Sequence, residues 1–215
     1  TCYTANTMNV FFNDGENGTF GNRTSYATGT NPYKAKMVDI DNDLDLDIVT
    51  TAYSSKQIRV FRNDGTGTLE QVQSINIPGS VRHVTAGDFD GDGDQDLAAA
   101  EYGNLRLTVL LNNGAGSFAF PESHLYTMPN APTDIETADI NGDGHLDLIS
   151  HSNSPRVSVF FGVGTGIFSD AVGFGSAQSS SAVAYGDLNN DGMLDLVSCS
   201  GNTERVYYML RTCGN

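Results

Sequence analysis

Short apolar, β-branched runs alternate along the whole chain with clusters of Asp, Asn and Gly. One set of runs is Ala35-Lys36-Met37-Val38 and Val84-Thr85-Ala86-Gly87. A second is Ile48-Val49-Thr50, Leu97-Ala98-Ala99, Leu148-Ile149-Ser150 and Leu196-Val197-Ser198. A third is Asn9-Val10-Phe11-Phe12, Ile58-Arg59-Val60-Phe61, Leu107-Thr108-Val109-Leu110 and Val157-Ser158-Val159-Phe160, with a fifth copy at Arg205–Leu210. Runs this short beside turn-forming residues predict strands. No window carries the period of a long amphipathic helix, so the fold is expected to be all-β.

The polar clusters repeat. Asp39–Asp47, Asp88–Asp96, Asp139–Asp147 and Asp187–Asp195 place Asp or Asn at loop positions 1, 3, 5 and 9, about every 50 residues. Hard oxygen ligands at alternating positions suit Ca²⁺, and glycine at position 6 permits the sharp turn between them. The candidate ligands are Asp39, Asp41, Asp43, Asp45 and Asp47; Asp88, Asp90, Asp92, Asp94 and Asp96; Asp139, Asn141, Asp143, His145 and Asp147; and Asp187, Asn189, Asp191, Met193 and Asp195. Position 7 (Asp45, Asp94, His145, Met193) is expected to offer its backbone carbonyl. Three to four calcium sites follow. In the first loop Leu44 replaces the turn glycine, where positive φ is costly, so that site is expected to be the weakest. An EF-hand closes its loop with Glu at position 12, between helices. Here position 12 is Thr50, Ala99, Ser150 or Ser198, and the flanks predict strands.

A second motif alternates with the first: Asn13–Phe20, Asn63–Leu69, Asn112–Phe118 and Gly162–Phe168. Its Asn-Gly and Asp-Gly steps supply tight hairpins, and the closing Phe or Leu can anchor the returning strand. One unit thus reads strand, acidic loop, strand, variable loop, strand, glycine turn, strand. Four strands in about 50 residues is the size of a propeller blade.

The pairing of Asp-rich loops with glycine turns ending in Phe resembles the FG-GAP/VCBS repeat. That repeat builds the β-propellers of integrin α subunits and of Psathyrella-type fungal lectins. The resemblance implies a β-propeller-like array of about four to five blades or half-blades, with calcium in each acidic loop. The chain is expected to form a single repeat domain over 1–215. It comprises a partial blade (1–35), full repeats (36–82, 83–131, 132–180) and a partial last blade (181–215). The terminal strands could complete one blade and close a small ring. Alternatively, separate chains could complete each other, or the chain could be a piece of a longer protein.

The net charge is −15. Four Ca²⁺ ions would neutralise roughly half of it, so the acidity is largely matched to metal and argues against nucleic-acid partners. No apolar run approaches a membrane span. Sequons at Asn17 and Asn22, with loops suited to millimolar calcium, fit an extracellular, secreted glycoprotein. Cys2, Cys199 and Cys213 cluster at the two chain ends. A disulfide joining Cys2 to either of the others would staple the termini, with buried free thiols as the alternative.

No recognisable nucleophile or zinc pattern surrounds His83, His124, His145 or His151, so an enzyme is not expected. Tyr3, Tyr53 and Tyr102 occupy equivalent repeat positions, and could stack sugar rings or simply pack at strand ends. The sequence therefore points to adhesion or recognition of a glycan or an extracellular protein. The alternative is a structural subunit of an extracellular assembly or filament, self-associating through incomplete terminal blades.

Overall fold

A computed structural model describes residues 1–13, 15, 19–120, 124–152, 156–175, 180–200 and 205–209. It forms five antiparallel sheets in sequence order. The first is a hairpin of β1 (Thr7–Asn13) and β2 (Phe20–Ala27). The second holds β3 (Pro32–Val38), β4 (Asp47–Ala52), β5 (Gln57–Asn63) and β6 (Leu69–Asn76). The third holds β7 (Val81–Gly87), β8 (Asp96–Glu101), β9 (Arg106–Leu110) and β10 (Leu125–Thr127). The fourth holds β11 (Pro132–Ala138), β12 (Asp147–Ser152), β13 (Arg156–Phe160) and β14 (Val172–Gly175). The fifth holds β15 (Ser180–Gly186), β16 (Asp195–Ser200) and β17 (Arg205–Met209). The only helical turn among the described residues is the 3-10 segment Tyr102–Asn104.

Each sheet is a meander, as short loops between consecutive strands dictate. The sheets pack as propeller-like blades, with β3, β7, β11 and β15 in contact one after another along the inner edge. The core therefore lies between blades. On β8, Leu97 and Ala99 join Val49, Val60 and Ile77 of the preceding blade. Ala98 and Ala100, on the opposite face of the same strand, join Ile135, Leu148 and Phe160 of the next. The period of two that sends alternate side chains to opposite faces explains why both faces are apolar. It also explains why every residue of β4, β8 and β12 is buried. Met8 with Val10 and Tyr26 seats the β1–β2 hairpin on Ile48 and Phe61.

The inner strands share an irregularity. In β3, β7, β11 and β15 the register slips near the strand start, as between Val81 and His83 and between Pro132 and Asp134. A bulge there adds an unpaired residue (Arg82, Thr133) and re-aims its neighbours.

The acidic loops and the aromatic face

Each acidic loop joins the first two strands of a blade and is held by its own carboxylates. The position-1 carboxylate accepts the backbone N–H of position 6 in all four loops: Asp39 from Leu44 (3.0 Å), Asp88 from Gly93 (3.1 Å), Asp139 from Gly144 (2.9 Å) and Asp187 from Gly192 (2.9 Å). Position 5 accepts from position 7 at 2.9 Å in every copy. Positions 4 and 6 are left-handed throughout, including Leu44 at φ 73°. The first loop thus follows the glycine-containing path despite its leucine.

Position 9 is the hub. Asp47, Asp96, Asp147 and Asp195 are fully buried. One oxygen of each accepts the N–H of position 2 (Ile40, Phe89, Ile140, Leu188) at 2.9–3.0 Å. In three blades the other oxygen accepts the N–H at the entrance of the glycine turn: Asn63 (2.7 Å), Asn112 (2.7 Å) and Gly162 (2.9 Å). Position 7 leans on that same turn. A Cβ on Gly65, Gly114 or Gly164 would meet Asp45, Asp94 or His145 within 3 Å. The two repeated motifs are therefore one unit, joined by a buried carboxylate. His145 is exposed, with its ring over Gly164.

Burial pushes Asp96 up to about 6, helped by the charges of Asp90 and Asp92 and opposed by its two backbone N–H donors. Asp47 and Asp147 are raised by burial in the same way. Ligand oxygens of Asp39, Asp41 and Asp43 lie within 4.8 Å of one another, as do those of Asp88, Asp90 and Asp96. Asp39 Oδ1 and Asp41 Oδ1 are buried without a hydrogen-bond partner. Converging carboxylates, of which Asp90 and Asp96 are raised by burial and Asp39 and Asp41 hold orphaned oxygens, suit a hard divalent cation. The first loop also has an internal counter-charge, since Arg62 Nε lies 2.7 Å from Asp41 Oδ2.

Residues 39–99, 88–150 and 147–198 each match the FG-GAP-like repeat, in register with successive acidic loops. The chain belongs to the FG-GAP-like repeat family. No curated protein matches it in sequence. Among solved structures, a functionally unknown protein from Desulfotomaculum acetoxidans DSM 771 superposes with a TM-score of 0.65 at 16% identity, over 89% of this chain and 57% of that one. An Agrocybe aegerita lectin, described as recognising non-reducing terminal N-acetylglucosamine, gives 0.59 at 22% identity, over 88% and 54%. The V. cholerae biofilm matrix protein Bap1 gives 0.51 at 18% identity, over 77% and 24%. At these identities the likeness is one of fold, and this FG-GAP chain spans little more than half the length of the first two structures.

The opposite end of the blades, where inner strands begin and second strands finish, carries aromatic rings. Tyr3, Tyr33, Tyr53 and Tyr102 form a ladder with successive centroids 5.9–6.2 Å apart. Arg82, a bulge residue, lays its guanidinium 3.7 Å from the Tyr102 centroid, and within 6 Å of those of Tyr33 and Tyr53. Tyr3 and Tyr33 are about half exposed. Tyr53 and Tyr102 are half-buried under the arginine. The repeat pattern signals Tyr3, Tyr53 and Tyr102, but Tyr33 and Arg82 sit at a different repeat position and were missed.

Sequence reasoning also missed a polar cluster between the third and fourth blades: His83 on β7, Asp134 on β11 and His151 on β12. His83 Nδ1 is 2.8 Å from Asp134 Oδ1, and His151 Nε2 is 3.5 Å from Asp134 Oδ2. Burial would raise Asp134, but the adjacent imidazoles of His151 and His83 outweigh it and hold the carboxyl well below the usual range. Cys2 is a free thiol that accepts a hydrogen bond from Asn9 Nδ2 at 3.0 Å. Asn17 and Cys213, and the side chains of Asn22 and Cys199, lie outside the described residues.

Proposed function

We propose that this FG-GAP domain is a secreted, calcium-stabilised and non-catalytic recognition module that binds carbohydrate on its tyrosine ladder. The ladder carries the reading. The half-exposed rings of Tyr3 and Tyr33 offer an apolar platform beside Thr1 and Pro32. A sugar ring presents axial C–H groups to such faces while its hydroxyls stay hydrated. Arg82 braces the ladder by cation–π contact, closest at Tyr102. The acidic loops, at the other end of the blades, hold Ca²⁺ and set the blade geometry that aligns the rings. The lectin among the structural neighbours supports the carbohydrate class, and no helix long and apolar enough to cross a membrane is found among the described residues.

N-acetylglucosamine oligomers are the first probe, followed by an array of immobilised glycans in millimolar calcium. Tyr33→Ala is expected to weaken binding about tenfold or more, on the order of the energy of one stacked ring, with the melting temperature held. Binding that is untouched by both Tyr33→Ala and Tyr3→Ala refutes the ladder as the site.

A second reading, a subunit of an extracellular assembly, is favoured by the β1–β2 hairpin. It is a two-stranded sheet bearing exposed Phe11, Phe12 and Phe20. Unpaired strand edges beside apolar rings are a template for a neighbouring chain. Filaments or ordered multimers in electron micrographs of the native material would favour this reading, and discrete particles the first.

A further inference from the structure

We infer that His83, Asp134, Glu136 and His151 bind one transition-metal dication of the Zn²⁺ class, at the boundary between the third and fourth blades. The site is separate from the acidic loops and differs from them in chemistry. Imidazole nitrogens suit Zn²⁺ and its neighbours, whereas Ca²⁺ prefers oxygen alone.

Three observations place the ion. First, His83, Asp134 and Glu136 offer ligand atoms that all lie within 4.8 Å of one another. The bulges bring this about. His83 and Asp134 are each the first residue paired after the register slip, in consecutive blades. Glu136, two residues further along β11, shares the face of Asp134. Asp134 also pairs directly with His151 across β11 and β12.

Second, the separation of His151 Nε2 from Asp134 Oδ2 is 3.5 Å, with no hydrogen bond on Nε2. Two ligands on one zinc ion at tetrahedral angles stand about 3.4 Å apart, given bond lengths near 2.1 Å.

Third, the tautomer of His151 is set from behind. Thr133 Oγ1 donates to the backbone carbonyl of His151 at 3.2 Å, so at 2.9 Å it accepts from His151 Nδ1–H. In the neutral ring Nε2 then carries a lone pair aimed at a carboxylate, and a cation between the two turns that repulsion into attraction. An oxygen that orients a metal-binding imidazole through its other nitrogen is the usual outer-shell arrangement. His151 is 1% exposed and His83 7% exposed, and the Nε2 atom of each is buried without a partner. Asp134 and Glu136 are half-buried, which leaves the cluster open to an entering ion.

The test uses the full chain in millimolar calcium, which keeps the acidic loops filled, with Zn²⁺ or Co²⁺ alone as the probe. Calorimetry is expected to show one Zn²⁺ bound per chain, and Co²⁺ to develop visible absorption bands from nitrogen ligation. His151→Gln and the milder Glu136→Gln should each weaken Zn²⁺ binding by about tenfold or more and diminish the cobalt bands, with calcium affinity unchanged. Glu136→Gln, at a half-buried position, keeps the test valid should the buried His151→Gln variant fold poorly. Absence of a cobalt band in the parent protein overturns the inference, as does undiminished Zn²⁺ affinity in Glu136→Gln. So does a melting temperature that follows imidazole protonation with no metal bound, which would make the cluster a proton-held clasp between blades.

Discussion

Leu44 is the clearest place to perturb the acidic loops, because its cost resides in the backbone. The residue holds φ 73° at the position where the other loops have glycine at 82–94°. Its side chain is 91% exposed, so little packing is lost when it is removed. The left-handed region costs an L-residue roughly 1–2 kcal/mol. Glycine escapes that strain but loses about 0.5–1 kcal/mol more chain entropy on folding. Leu44→Gly is therefore expected to stabilise the domain by about 0.5–1 kcal/mol, raising the melting temperature by about 2 °C for a chain of this size.

The reciprocal change isolates the same term. Gly93 has φ 94°, and nothing lies within 4 Å of a Cβ built there. Gly93→Leu thus meets no neighbour at its Cβ and should cost about 1 kcal/mol or more, since 94° is further from the left-handed well near 57°. Leu44→Ala is the control, because alanine keeps the strain and should leave the midpoint nearly unchanged. Thermal unfolding of the three variants in millimolar calcium decides the matter. A midpoint unmoved by Leu44→Gly, or raised equally by Leu44→Ala, would refute the assignment of the cost to φ.

Three further outcomes are expected. Excess EDTA should lower the melting temperature, and Asp92→Ala should destabilise the calcium-loaded domain more than Asp43→Ala, whose loop already bears Leu44 and the Arg62 counter-charge; the reverse order in thermal melts would count against cation binding as the source. With Asp96 raised to about 6 by burial, the cation-free fold binds more protons than the unfolded chain between about pH 4 and 6, so this group's contribution to stability falls as pH rises through that window. Calcium must displace that proton, and calorimetry should find weaker binding at about pH 5 than at about pH 7.5, whereas equal affinities would contradict the raised value. Gly114→Ala places a Cβ 2.8 Å from Asp94 Oδ2 at φ 81°; it should cost more than the ~1 kcal/mol of an open glycine turn and also weaken calcium binding, and an effect on stability alone would uncouple turn from loop.

The strands and acidic loops were legible in the sequence because each is a local signal. Apolar runs of period two mark the strands, and alternate carboxylates mark the loops. The union of loop and turn was not legible. Its carrier is a backbone N–H at Asn63, Asn112 or Gly162, and an N–H leaves no trace in side-chain identity. The histidine cluster was hidden for a different reason. His83, Asp134 and His151 come from three strands in two blades, and only inter-blade packing and two bulges bring them together. The ladder was half legible. Tyr3, Tyr53 and Tyr102 repeat in the sequence, whereas Tyr33 and Arg82 enter from inner strands and interleave between blades.

The same inter-blade packing makes the loops interdependent. Asn42 of the first loop donates to Asp94 of the second. Asn112, at the glycine turn of the third blade, donates to the carbonyl of Ile40 in the loop before it (2.8 Å). Gly166 of the following turn donates to the carbonyl of Phe89 (2.8 Å). The glycine turns of the third and fourth blades are thus each fastened to their own loop through a position-9 carboxylate and to the preceding loop through a carbonyl. In a repeat array, stability is the sum of unit and interface terms, and here the apolar core lies almost wholly in the interfaces. A loop loosened by loss of a bound cation would therefore loosen the turn of the next blade as well as its own. Damage to the Asp88 loop, which is joined on one side to Asn42 and on the other to Gly166, should therefore spread into both neighbouring blades.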